Sequence, residues 1–195
     1  NASSGVVAGT LVYTPPSGTV MNTPGGQTLS VTFTPTDGTT YNAATGSVTV
    51  PIVGPAVGSL LEILARAIGA DRIFEMGSAI GYSTAFFARA VGRGGQVVYT
   101  DGDPANAERA RSYLERLGFA DRVTIRVGDA VASLEQTTGY FDVVFIDVDK
   151  DGYPAALKAA APRVRRGGYL IADNVLWSGK VVDGSVRDEQ TEGIR

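Results

Sequence analysis

From Gly58 to Arg195, short apolar runs alternate with amphipathic stretches of helical length, and that alternation leaves few folds open. The spacing predicts strands over 72–76, 96–100, 122–127, 141–148 and 168–172. It predicts helices over 83–91, 104–117, 130–136 and 153–164. Ahead of them, Leu60, Leu61, Leu64 and Ile68 share one apolar face of a helix over 57–68, and Gly69 stands where a C′ glycine would close it. Asp103 before Pro104 forms a cap and first-turn pair for the helix over 104–117. Strands joined by such helices require right-handed crossovers. The expected fold is α/β, a doubly wound parallel sheet covered on both faces.

The first 54 residues have another composition. Asp37 is their only charged residue, and Thr, Gly, Ser and Pro crowd the segment. Leu29, Val31 and Phe33 alternate with Ser30, Thr32 and Thr34, and 9–13 and 47–52 are also strand-forming. This predicts three or four antiparallel strands of a small sandwich. Gly54 and Pro55 interrupt any regular element, so two domains are expected, over 1–54 and 55–195.

Composition also excludes chemistry. The chain has no cysteine and no histidine. Disulfides, thiolate nucleophiles, Ser-His-Asp catalysis and imidazole acid–base work are all absent. A formal net charge of −3 and a pI near 5.0 argue against a nucleic-acid partner. No apolar run reaches membrane-span length, and no basic segment precedes an apolar stretch at Asn1, so neither a membrane partner nor a signal peptide is expected.

Ligands of a doubly wound sheet sit at the carboxyl ends of its strands. Polar residues gather there: Glu75 to Ser83 after the first strand, Asp101 after the second, Asp129 after the third, Asp147 and Asp149 after the fourth, Asp173 and Asn174 after the fifth. The turn holding Gly77 and Gly81 lets a ligand approach the backbone, and Asp101 is spaced to hold a ribose diol, which together indicate an adenosine cofactor. Asp147, Asp173 and Asn174 suit a hard divalent ion such as Mg²⁺, and Lys150 is placed to act as a general base beside it. Each feature also has a plain structural reading: a glycine turn ending a strand, Asp147 and Asp173-Asn174 as caps, Lys150 as a surface lysine.

Two resemblances sharpen this. The runs Tyr13 to Val20, Gln27 to Asp37 and Tyr41-Asn42 resemble the later part of a bacterial immunoglobulin-like repeat, whose relatives stand in tandem on surface proteins. The motifs Glu75-x-Gly77-x-x-x-Gly81-Tyr82-Ser83-Thr84, Phe145-Ile146-Asp147-Val148-Asp149-Lys150-x-x-Tyr153 and Gly167 to Trp177 resemble the metal-dependent catechol and caffeoyl-CoA type O-methyltransferases. These are Rossmann-like class I enzymes using S-adenosylmethionine. The resemblance implies that Glu75, Gly77, Ser78 and Ser83 hold the methionine end, Asp101 the ribose, and Asp129 and Ala130 the adenine, with Asp149 near the cofactor amine. It further implies that Asp147, Asp173 and Asn174 chelate Mg²⁺ while Lys150 takes the proton of a small phenolic substrate. A cytoplasmic setting follows for this part, a surface setting for the immunoglobulin-like part, and a homodimer stays open.

Two departures from the family are expected. Its N-terminal helices are reduced to 57–68, and its C-terminal helix and strand pair are missing beyond Arg195, which leaves strand 168–172 as an edge. A fusion or chimera of two fragments is the simplest account. The competing reading is a spacer or surface module carrying an inert methyltransferase fragment; a nicotinamide oxidoreductase ranks third, because the third glycine of its phosphate turn is missing.

Overall fold

Alternating apolar and hydroxyl side chains make the first strands. The computed structural model describes residues 7–16, 25–52 and 54–195, and the chain divides into two compact units, Asn1–Val57 and Gly58–Arg195. The first holds β1 (Gly9–Thr14), β2 (Gly25–Pro35) and β3 (Ala44–Ile52), an antiparallel meander in that order. Leu11 pairs with Phe33 and Tyr13 with Val31, so these four share one face, with Thr10, Val12, Thr32 and Thr34 on the other. Asp37 shapes the β2–β3 connection by accepting from the N–H groups of Thr39 (3.0 Å) and Thr40 (3.2 Å). These bonds, with one from the Thr39 hydroxyl, hold its carboxyl well below the usual range. Among the described residues this is one sheet of three strands. The expected second layer of a sandwich is not formed there, and Leu11 and Tyr13 stay exposed.

α1 (Pro55–Ala67) leads into β4 (Arg72–Met76), α2 (Tyr82–Val91), β5 (Gln96–Asp101), α3 (Pro104–Arg116), β6 (Val123–Val127), α4 (Ala130–Glu135), β7 (Phe141–Ile146), α5 (Tyr153–Ala160), β8 (Val164–Ala172) and α6 (Glu189–Gly193). The last five strands form one parallel sheet in the order β6-β5-β4-β7-β8. Its central strands are near-continuous apolar runs because helices cover both faces. On one face Phe74, Met76, Val144 and Ile146 pack with Leu134 of α4 and Ala156 and Ala160 of α5. On the other, Tyr99 packs with Ala107 and Ala110 of α3, and Phe87 of α2 meets Phe145 edge-on at 5.7 Å. The helix expected over 104–117 begins as its cap predicts, with Asp103 accepting from Ala105 N–H at 2.8 Å.

Several boundaries differ from the sequence reading by a residue or two, and three differences change an element's surroundings. α5 ends at Ala160 rather than 164, since Pro162 brings no N–H and the chain tightens into a 3₁₀ turn over 161–163. β8 starts at Val164 rather than 168, because Val164 pairs with Phe141 and Arg165 binds Asp142 across the sheet. β7 stops at Ile146, after which 150–152 form another 3₁₀ turn.

Candidate active site

β4 and β7 are neighbours at the point where the strand order reverses, the place where open α/β sheets receive ligands beyond the carboxyl ends of their strands. Gly77 follows β4 with φ +84, and a Cβ there would stand 2.3 Å from the Asp147 carbonyl oxygen, so no larger residue fits. The turn after it is tied to β5. The N–H groups of Gly77 and Ser78 both donate to Thr100 O, at 3.1 and 2.8 Å. Asp101 accepts from Ala79 N–H (2.9 Å) through Oδ2, and from Asp103 N–H (2.9 Å) and Asn106 Nδ2 (3.2 Å) through Oδ1. The protein thus fills three of the roughly four acceptor positions of that carboxylate. Asp101 builds the turn and leaves about one acceptor position open.

Behind the turn, Glu75 is fully buried in β4. Its oxygens accept from the hydroxyls of Ser83 and Thr84 at the start of α2. Burial pushes its carboxyl up to about 7, against those hydrogen bonds and with the Asp147 charge adding to the rise. The hydroxyls of Ser83 and Thr84 thus separate the Glu75 carboxyl from solvent. Beyond β6, Asp129 caps α4 by accepting from Ala132 N–H at 2.7 Å and stays exposed, while Ala130 is buried.

A second group stands at the ends of β7 and β8. Lys150, only 5% exposed, donates from Nζ to Tyr153 Oη (2.6 Å), Asp147 Oδ1 (3.2 Å) and Val148 O (3.4 Å). The Tyr153 hydroxyl has Asp173 O at 2.7 Å and Ile146 O at 3.1 Å to receive its proton. Burial raises the Asp147 carboxyl to about 6, with the Asp173 charge adding and the Lys150 ammonium opposing. Burial and the same two carboxylates push the Tyr153 phenol far up. The structure thus brings Asp147, Asp173, Lys150 and Tyr153 into one cluster. Asn174 follows with φ +56; its N–H donates to Asp173 Oδ1 at 2.8 Å, but its exposed carboxamide takes no part in these hydrogen bonds. Asp149 is exposed at the head of the 150–152 turn. Trp177 and Ser178 also carry positive φ, backbone strain of a kind that gathers at functional sites. The Trp177 ring lies 5.9 Å from Lys150 Nζ.

The donor set fits a hard cation. Among the described residues no three His, Cys, Asp or Glu side chains converge on a metal position, so an ion would rest on two carboxylates and an amide oxygen. The Asp173 charge adds to the proton affinity of Asp147, so the site is short of positive charge, which Lys150 meets only in part. A groove of about 440 Å³ lies elsewhere, between α2 and α3, lined by Ile80, Tyr82, Tyr113 and Leu117; it borders the glycine turn but none of the carboxylates. The sequence reading gave no role to Thr84, Asn106 or Tyr153. Thr84 and Tyr153 did stand within the motifs that carry the resemblance, whereas Asn106 had no such signal.

The model of the family described as O-methyltransferase matches residues 38–195. A catechol O-methyltransferase of Niastella koreensis is 36% identical over 147 residues, covering 73% of this chain and 66% of the relative. One of Mycobacterium tuberculosis is 42% identical over 126 residues, covering 64% and 57%. The chain thus spans less than two thirds of the length of these curated relatives. The solved structure of an O-methyltransferase from Bacillus cereus in complex with SAH superposes with a TM-score of 0.71 at 39% identity, over 74% of this chain and 67% of that one.

Proposed function

The chain belongs to the O-methyltransferase family, and from that membership we propose that it moves the methyl group of S-adenosylmethionine to a phenolic hydroxyl of a catechol- or caffeoyl-type acceptor, assisted by a divalent cation such as Mg²⁺. One observation carries the reading. The glycine turn suited to the methyl donor and the cluster suited to the acceptor share a junction, with Gly77 packed on the main chain of Asp147. Reactants held at adjacent strand ends need only be aligned for an in-line displacement, in which the sulfur–methyl bond breaks as the oxygen–methyl bond forms.

Glu75, acting through Ser83, would hold the methionine end with Gly77 and Ser78, and Asp149 would face its amine. Asp101 would accept from the ribose at its open position, and Asp129 and Ala130 would flank the adenine. Asp147, Asp173 and Asn174 would hold the cation. When bound, it supplies Lewis-acid charge that acidifies the acceptor hydroxyl. Lys150, in its neutral form, takes the hydroxyl proton at Nζ, while Tyr153 and Asp147 keep that amine at the ends of β7 and β8. The partner on this reading is a small phenol and not a nucleic acid, and the setting is cytoplasmic. No helix among the described residues is long and apolar enough to cross a membrane.

For residues 1–54 we propose part of an immunoglobulin-like repeat serving as a spacer, supported by the three-stranded meander and its single charge. A spacer with inert cargo would bind no cofactor, so calorimetric titration with S-adenosylhomocysteine separates the two readings. The methyltransferase reading expects binding that Asp101→Ala removes, and catechol turnover that a chelator stops. No heat at millimolar ligand would sink it.

A further inference from the structure

α6 is five residues long, too short to be helical on its own, so its position is set by what it grips. Asp188 caps it by accepting from the N–H (2.8 Å) and hydroxyl (2.9 Å) of the fully buried Thr191, and Ile194 packs against the core beside α5. On one flank Gln190 reaches the turn that carries Lys150. Its Oε1 accepts the Lys150 backbone N–H at 2.6 Å, and its Nε2 donates to Asp151 Oδ1 at 2.6 Å. Gly193 lets the two main chains touch, since a Cβ there would lie 2.1 Å from Lys150 O. On the other flank Arg195 satisfies all five of its N–H donors. Nε binds Val181 O (3.1 Å), Nη1 binds Val186 O (2.8 Å) and Glu192 Oε1 (2.6 Å), and Nη2 binds Lys180 O (3.1 Å) and Asp183 O (2.6 Å).

We infer that α6 couples the 177–186 segment to the Lys150 turn, and that Gln190 is a positioning residue fixing the main chain of Lys150. The inference rests on the proposed role of Lys150 as proton acceptor. The Lys150 side chain is held at its amine by Asp147 and Tyr153, and at its backbone by Gln190. With both ends fixed the amine has one place; with the backbone end released it can drift. A misplacement of about 1 Å is enough to cost on the order of 10²-fold in rate. Arg195 pins a segment that begins at Trp177, beside the same amine, so a disturbance there has a short path to Lys150 through one helix.

The test exploits the polarity of the Gln190–Asp151 pair. Gln190→Glu keeps an acceptor for the Lys150 N–H but sets two carboxylates face to face. Adding Asp151→Asn restores a donor and an acceptor with their roles exchanged. The single variant should slow turnover about tenfold or more at saturating acceptor while leaving the affinity for S-adenosylhomocysteine unchanged, and the double variant should recover to within about threefold of wild type. Amide hydrogen exchange at Lys150 gives a readout that needs no activity. It should quicken in Gln190→Ala, and also in Arg195→Ala, which does not touch it, while the amides of Ile73 and Phe74 keep wild-type rates. Wild-type exchange at Lys150 in Arg195→Ala overturns the coupling, as does faster exchange throughout β4. Failure of Asp151→Asn to rescue overturns the role of Gln190. If wild type transfers no methyl group, the functional reading falls, and the exchange rates still decide the coupling.

Discussion

Glu75 is a carboxylic acid with no exposure to water, held between the hydroxyls of Ser83 and Thr84. Its carboxyl titrates at about 7 in the folded protein against 4.5 for an ordinary glutamate, so the native state binds the proton more tightly than the unfolded chain. The stability this confers is complete below about pH 4.5 and is lost as pH rises through about 7, on the order of 3 kcal/mol across the window. Glu75→Gln keeps an oxygen for one hydroxyl and an amide hydrogen for the other, and carries no charge at any pH. The Tm of Glu75→Gln minus that of wild type should therefore grow between about pH 5 and about pH 8. A difference that stays constant would mean that Glu75 does not titrate there. Asp147, raised to about 6 by burial, has the same sign; it is common to both proteins, so only its coupling to Glu75 enters the difference.

At the scale of elements, the junction of β4 with β7 depends on a missing side chain. Gly77→Ala would put a methyl group against the Asp147 carbonyl at a backbone angle alanine resists, so the strand ends must part. We expect a Tm loss of several degrees and at least about tenfold weaker S-adenosylhomocysteine binding, because the turn and its N–H groups move with it. Gly94→Ala, with open space and no positive φ, should be neutral in both measurements. Unchanged binding in Gly77→Ala would show that the turn does not meet the ligand. The same elements show what could be read in the sequence. β4 is legible because Ile73, Phe74 and Met76 fill a short buried run between turn signals. The first four residues of β8 are not, since Val164-Arg165-Arg166-Gly167 becomes strand only once Phe141 and Asp142 meet it. Carboxylates at strand ends could be counted off, and Asp101, Asp147 and Asp173 do stand there. The roles of Tyr153 and Gln190 could not be found that way, because their hydroxyl and amide meet partners 20 and 40 positions away.

For the whole molecule, a ligand that binds only the folded state stabilises by mass action, about 2.7 kcal/mol at one hundred times its Kd. S-adenosylhomocysteine should raise the unfolding temperature of the 58–195 unit in proportion to the logarithm of its concentration. The Asp101→Ala protein should show no such shift, and an equal shift would remove Asp101 from the site. Above about pH 5, pH dependence should come from the same unit, since Asp37, the only charged residue in positions 1–54, is held below the usual carboxylate range and is ionised throughout. The chain's single tryptophan sharpens that division. The Trp177 ring has Lys150 Nζ at 5.9 Å and Lys180 Nζ at 5.6 Å, and its buried indole nitrogen has no hydrogen-bond partner among the described residues. Its fluorescence is therefore a built-in lamp beside the carboxylate cluster. An occupant of that cluster changes its colour or brightness, and the β1–β3 sheet, which has no indole, can unfold in the dark.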